Sequence, residues 1–219
     1  MRRRCRNRRA AISGEAALQG NGFLAIWSDV PSERETDYLH WLTREHTSER
    51  LGVEGFVAVR VYRAIRQDVC RYFIHYQLTS PSVLSSHGYL ERLNAPTPWS
   101  QRIMTIVGNF VRGGGRVVAE AGVGRGCVLA ALKLDAQSAG IGRKLESIAA
   151  LDRIVAARLL ETDLEKTTIA TREKSMRRQD ASFPGLLLIE GLDAGSVEAA
   201  ISVSGLEPAE ELYLQIFQL

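Results

Sequence analysis

The chain has 219 residues, 45% hydrophobic and 24% charged, a composition that fits one large globular domain or two ordinary ones and excludes a disordered polymer. No apolar run approaches the ~20 residues of a membrane-spanning helix, so a soluble protein with no membrane partner is expected. The net charge of +3 is uneven, because six arginines lie in the first nine residues and without them 22 basic residues face 25 acidic ones; no basic surplus remains for a nucleic-acid face, and no nucleic-acid partner is expected.

Residues 1–21, with Arg2, Arg3, Arg4, Arg6, Arg8 and Arg9, read as a basic tail. It is either a disordered terminus or an over-extended start, unless it contacts phosphate. No apolar segment follows the arginines, so it is not a secretory signal. Cys5, Cys70 and Cys127 are odd in number and form no Cys-x-x-Cys pair, which points to a reducing cytoplasm and to no zinc site or disulfide framework. Cys70 and Cys127 fall in apparent strands, as small buried side chains.

From Gly22 the chain reads as two similar rounds. Phe23 to Ser28 is a short strand. Ser32 and Glu35 are spaced as a capping box opening a helix that runs to about Leu51 and stops near Gly52. Phe56 to Ile65 alternates, with Val57, Val59 and Val61 on one face and Phe56, Arg60 and Tyr62 on the other. Arg71 to Thr79 sets Tyr72, Ile74, Tyr76 and Leu78 against Arg71, Phe73, His75 and Gln77. Ser80-Pro81 and Thr97-Pro98 each fit the start of a helix, the second carrying Trp99, Ile103, Ile106 and Phe110. Val117 to Ala121 closes the first set.

Seven of the 19 glycines fall between Gly108 and Gly126, where a flexible turn and linker are expected. The second round has strands at Cys127–Leu134, Ile154–Leu164, Gly185–Gly191 and Glu211–Phe217, helices at Ile141–Leu151 and Ser196–Val203, and a charged, weakly patterned excursion from Thr167 to Ser182. Two strand–helix–strand–strand–helix–strand units in series predict an α+β fold. Two tandem ferredoxin-like βαββαβ units, 22–124 and 125–219, would pack their uncovered sheet faces into one barrel of the dimeric α+β type.

The stretch Trp27-Ser28-Asp29-Val30 through Trp41, with Glu45-His46-Thr47-Ser48-Glu49-Arg50 and Val53-Glu54-Gly55-Phe56, resembles the EthD-like branch of the dimeric α+β barrel superfamily. So do Arg71-Tyr72 and Asn94-Ala95-Pro96-Thr97-Pro98-Trp99. The resemblance covers residues 22 to about 122; the second half matches only in element order. Related families include cofactor-independent monooxygenases, polyketide cyclases and dye-decolourising peroxidases. The resemblance implies a functional histidine at the end of the first helix, here His46. A proline usually stands two residues later in that pattern; Ser48 stands there in this chain.

His46 shares a helical stripe with Leu39 and Leu42 and so points toward the sheet or its rim. With Glu45 and Glu49 near enough to orient it, it is a candidate general base, or else a helix-end histidine bonded to a carbonyl. Arg60, Tyr62 and His75 alternate onto the presumptive inner face. They line either a ligand pocket walled by Trp27 and Phe73 or a hydrogen-bonded network between the halves. Trp41 and Trp99 read as helix-packing anchors. No metal, phosphate-loop or serine-elbow motif occurs, and no cofactor is expected.

Two functions fit. One is a cofactor-independent enzyme acting on a small aromatic or polyketide-like molecule, with His46 moving protons and Arg60 stabilising an enolate or phenolate. The other is a non-catalytic module that binds a small ligand or assembles with a second copy as a homodimer. A cavity reaching both His46 and Arg60 favours the first, and an interior filled with side chains favours the second.

Overall fold

Period-two strands need a covered face, and here they cover one another. A computed structural model describes residues 20–66, 70–135 and 140–219, so Cys5 and all but the end of the basic tail lie outside the described residues. The strands are β1 (Gly22–Val30), β2 (Phe56–Ala64), β3 (Cys70–Leu78), β4 (Gly108–Gly122), β5 (Val128–Leu134), β6 (Ile154–Thr162), β7 (Gly185–Gly191) and β8 (Leu212–Gln218). They close an antiparallel barrel in the order β1-β3-β2-β8-β5-β7-β6-β4. Closure leaves no unpaired sheet edge.

Helices lie outside. In the first half these are α1 (Glu35–Trp41), a π-helical segment (Leu42–His46), α2 (Thr47–Leu51), α3 (His87–Asn94) and α4 (Pro98–Met104). The second half has α5 (Leu145–Ala149), α6 (Leu164–Thr168), α7 (Arg172–Ser175) and α8 (Ala194–Val203). The order strand–helix–strand–strand–helix–strand therefore occurs twice along the chain.

Alternation along each strand sorts the side chains. Phe23, Ala25, Trp27, Tyr62, Ala64 and Phe73 turn inward and meet Leu129, Leu160, Phe183, Leu186, Leu188 and Tyr213 from the second half. Leu24, Val59, Val61, Tyr72, Ile74 and Tyr76 turn outward beneath α1–α4. Ala130, Leu187 and Ile189 do the same beneath α5 and α8.

The structure departs from the sequence reading in several places. A bulge between Phe56 and Ala58 turns Phe56 away from Arg60, against Tyr76 (5.5 Å) and Tyr89 (5.2 Å) on the helix side. The Ser32–Glu35 capping box does not form, because Glu35 Oε1 accepts instead from Arg63 Nε (2.9 Å) and Tyr72 OH (2.5 Å). Ser80-Pro81 opens only a short 3-10 turn, and Ser86 caps the helix that follows, while Thr97 caps α4 as expected. That helix ends at Met104, so Phe110 belongs to β4. Cys70 is half-buried and Cys127 exposed, just ahead of β5.

The largest departure is the glycine-rich stretch, which is mostly strand. β4 runs unbroken through Gly108–Gly122, pairing with β1 along its first part and with β6 along its second. The glycines serve close approach: a Cβ on Gly113 would lie 2.4 Å from the Phe183 ring, and one on Gly115 only 2.0 Å from the Glu161 carbonyl oxygen. Gly115→Ala should therefore destabilise the barrel by about 1–3 kcal/mol, read as a lower urea midpoint with unchanged slope. An unchanged midpoint would show that β4 and β6 are not in this register.

Candidate functional site

The sequence-predicted residues fall on two sides of the sheet. Trp27, Tyr62 and Phe73 are together inside the barrel, with ring centroids 4.6 Å apart for Trp27–Phe73 and 5.9 Å for Tyr62–Phe73. His75 is 6.3 Å from Phe73, and Arg60 stands opposite His75 in the β2–β3 ladder. The aromatic middle of this interior is packed by side chains: among Leu129, Leu160, Leu186 and Leu188, Phe23 and Phe73 are at 0% exposure. Trp27 closes the opposite end and floors a cleft of about 610 Å³ with Ala131, Lys133 and Tyr213.

His46 is not part of that group. It sits in the helical layer over the outer face, 5% exposed, with its ring 4.1 Å from Trp41. Its neighbours also differ from those expected: Glu45 accepts a hydrogen bond from Thr97 (2.6 Å), and Glu49 lies 4.0 Å from Arg50. Among the described residues the β2–β3 sheet stands between His46 and Arg60, which lie on its opposite faces.

What surrounds His46 is a buried cluster of cations. Arg50, one turn further along the helix, donates from Nη2 to Glu173 Oε2 (2.5 Å). Arg177 donates to Glu173 Oε1 (3.2 Å) and Asp180 Oδ2 (2.7 Å), and its guanidinium lies 4.0 Å from the Phe110 ring. Arg112, from β4, is 4% exposed; its one hydrogen-bond contact is Nη2 to Tyr89 OH at 3.4 Å, and no carboxylate among the described residues pairs with it. The charged, weakly patterned excursion thus buries Glu173, in α7, and Arg177, in the turn after it.

His46 Nδ1, Arg50 Nη1, Tyr76 OH, Arg112 Nε and Arg177 Nε are all buried without a partner among the described residues. Each such atom costs about 1–3 kcal/mol, and folded proteins carry few of them. Five in one cluster, beside a π-helical segment of the kind that marks functional sites, identify a place where stability is sacrificed. A surface cleft of about 390 Å³ lies on the same segment, lined by Thr171, Lys174 and Asp180. Lys174 is held down to about 8 by burial and by the charge of Arg112.

Burial first, then the Arg50 and Arg177 charges, hold the His46 imidazole well below its usual range. It is therefore neutral at pH 7, with an unpartnered Nδ1 and the guanidiniums of Arg50 and Arg177 nearby. Such a set can take a proton and stabilise the anion left behind.

Comparison with solved structures places the fold. The chain is similar to an anthrone oxidase-like protein (TM-score 0.56, 12% identity, covering 92% of this chain and 93% of that one). It is also similar to a candidate monooxygenase from Fusobacterium nucleatum subsp. nucleatum (TM-score 0.53, 14% identity, 90% and 92%). A candidate chlorite dismutase gives a TM-score of 0.51 at 11% identity, covering 90% and 96%. The chain has the dimeric α+β barrel fold. No family model matches it, and no curated protein matches it in sequence.

Within this α+β barrel the sequence reading singled out His46 and did not bring Arg50, Tyr76, Tyr89, Arg112, Glu173 and Arg177 to it. Arg50 was within reach, since it follows His46 at a spacing of four on the same helical face. Arg112 and Arg177 had no local sign.

The two buried histidines also set an acid response. His75 is lowered to about 3 by burial, then by Arg125 and Arg60, and His46 is lowered too. The unfolded chain then binds protons below the ordinary value of 6.5 that the folded barrel refuses. Stability should be full above that pH and fall below it, by up to about 1.4 kcal/mol per pH unit for each histidine. Urea titrations between pH 6.5 and 5 should show this slope, and it should be lost in a His46→Gln/His75→Gln double variant. A flat wild-type profile would contradict neutral, buried histidines.

Proposed function

We propose that the chain is an EthD-like barrel, built from two βαββαβ units, that binds a small acidic aromatic or polyketide-like molecule between its first helical layer and the sheet. One observation carries the reading: Arg112 is buried without a counter-charge in a layer already holding Arg50 and Arg177. An unopposed buried guanidinium costs several kcal/mol, and a bound anion removes that cost. Trp41, Tyr76, Tyr89 and Phe110 supply aromatic walls, and His46 takes the proton from an acidic C–H or O–H of the ligand, leaving an enolate or phenolate beside the guanidiniums. This is cofactor-independent chemistry, with Arg50 and Arg112 in the role expected of Arg60. The names of the neighbouring structures, a candidate monooxygenase and an anthrone oxidase-like protein, agree with enolisable aromatic substrates.

The test is thermal stability with 2-hydroxybenzoate as probe. Saturating probe at about 100 times its dissociation constant should stabilise the wild type by about 2.7 kcal/mol. His46→Gln should still bind but lose any turnover, and Arg112→Met should lose most of the stabilisation. Equal stabilisation of wild type and Arg112→Met would overturn the site.

A second reading, self-assembly, is favoured by a different feature. Val57, Leu214, Ile216 and Leu219 are each more than 40% exposed on the adjoining strands β2 and β8 and the residue after β8. Sedimentation of the full chain would show a dimer that Ile216→Lys dissociates.

A further inference from the structure

The polar end of the barrel interior takes no part in the His46 cluster. Strand β2 sets Arg60 opposite His75, and both turn inward. The His75 ring stacks on Phe23 (6.4 Å, 15°) and Phe73 (6.3 Å, 20°), which fixes its plane. It is 8% exposed, and its Nε2 has no partner among the described residues. Arg60 Nε is buried and equally unpartnered.

Arg125, from the β4–β5 connection, enters the same space, with Nη1 3.9 Å from Glu120 Oε1 and 3.9 Å from Glu190 Oε1. Those carboxylates are already held. Arg158 donates to Glu190 (2.5 Å) and to Glu120 (2.9 Å), and the Gly126 N–H donates to the second Glu190 oxygen (3.0 Å). Three guanidiniums thus face two carboxylates, and the one without a close counter-charge, Arg60, lies beside a buried histidine with an orphaned nitrogen.

We propose that Arg60, Arg125 and His75 form a second binding site, for a carboxylate group, at this mouth of the barrel. A guanidinium fork matches the two oxygens of a carboxylate, and a single negative charge balances the one excess positive charge. A phosphate dianion would overshoot that balance and repel Glu120 and Glu190. The site lies on the opposite side of the sheet from His46 and does not depend on the function proposed there. A carboxylate here offsets the fields of Arg60 and Arg125, so it raises the proton affinity of His75; the other groups facing the imidazole are Tyr62, Glu120, Glu190 and Arg158.

The experiment is a titration of the full-length Arg112→Met protein, in which the other anion site is disabled, with acetate and separately with inorganic phosphate, following the His75 and His46 ring resonances by NMR. Acetate should shift His75 saturably and leave His46 in place, and Arg60→Met should weaken that binding at least about tenfold. Arg125→Gln, at the rim, should give a comparable loss and keeps the test intact where Arg60→Met fails to fold. His75 resonances that acetate leaves unmoved, binding untouched by both arginine variants, or tighter binding of phosphate than of acetate would each overturn the assignment.

Discussion

Arg112→Met should make the protein more stable, by about 1–4 kcal/mol. Removing a buried side chain usually costs stability, so the sign is diagnostic. Arg112 is 4% exposed, its one side-chain hydrogen bond among the described residues is to the Tyr89 hydroxyl at 3.4 Å, and its Nε has no partner there. Methionine keeps an unbranched apolar stem of similar length and removes the unsatisfied charge. For a chain of this size the gain corresponds to about 2–4 °C in Tm per kcal/mol. In an Arg60→Met background, which removes the carboxylate site inside the barrel, the same variant should lose all stabilisation by 2-hydroxybenzoate. A Tm that falls by a similar amount would mean that Arg112 holds the barrel together and awaits no ligand.

The opposite change should follow at Glu173. Its carboxylate accepts from Arg50 at 2.5 Å and from Arg177 at 3.2 Å, and the residue is 5% exposed. Glu173→Gln keeps the shape and one acceptor but removes the charge that faces both guanidiniums. Breaking a buried pair in this way costs about 3–5 kcal/mol, because both cations stay buried while Arg50 keeps only the more distant Glu49 and Arg177 only Asp180 as carboxylate neighbours. The Tm should drop by roughly 6–20 °C. Added 2-hydroxybenzoate should recover part of the loss, since it brings a negative charge to the same guanidiniums. A loss that the probe does not reduce would place the anion elsewhere.

Much of the fold was readable from local pattern. The alternation of Phe73 and His75 against Tyr72, Ile74 and Tyr76 sorted the inner and outer faces of β3 correctly, because a strand's period is set by its own backbone. Thr97-Pro98 announced its helix for the same reason: the cap is a contact between Thr97 and Ser100, three residues apart. The glycine-rich stretch misled because its glycines answer to distant atoms. Gly113 makes room for Phe183 and Gly115 for Glu161, and neither demand is visible in the neighbouring sequence.

The candidate site divides along the same line. The helical stripe through Leu39, Leu42 and His46 showed that His46 is buried. It could not show what meets it there, since Arg50 and Glu173 are 123 residues apart. The segment from Thr167 to Ser182 is weakly patterned because charged residues interrupt any apolar period. In the fold it buries Thr167, Thr171, Glu173 and Arg177 and leaves Arg172, Arg178 and Asp180 exposed, so the irregular pattern marks one buried ion pair on an otherwise surface segment.

The central claim is that a neutral His46 and an unopposed Arg112 wait for one acidic ligand. Calorimetric titration of 2-hydroxybenzoate at pH 7, in two buffers of different ionisation enthalpy, counts the protons exchanged on binding. An anion beside Arg50 and Arg177 raises the affinity of His46 for a proton, so the wild type should take up a proton fraction that His46→Gln abolishes while binding persists. Binding without proton uptake, or the same uptake in His46→Gln, would contradict the account.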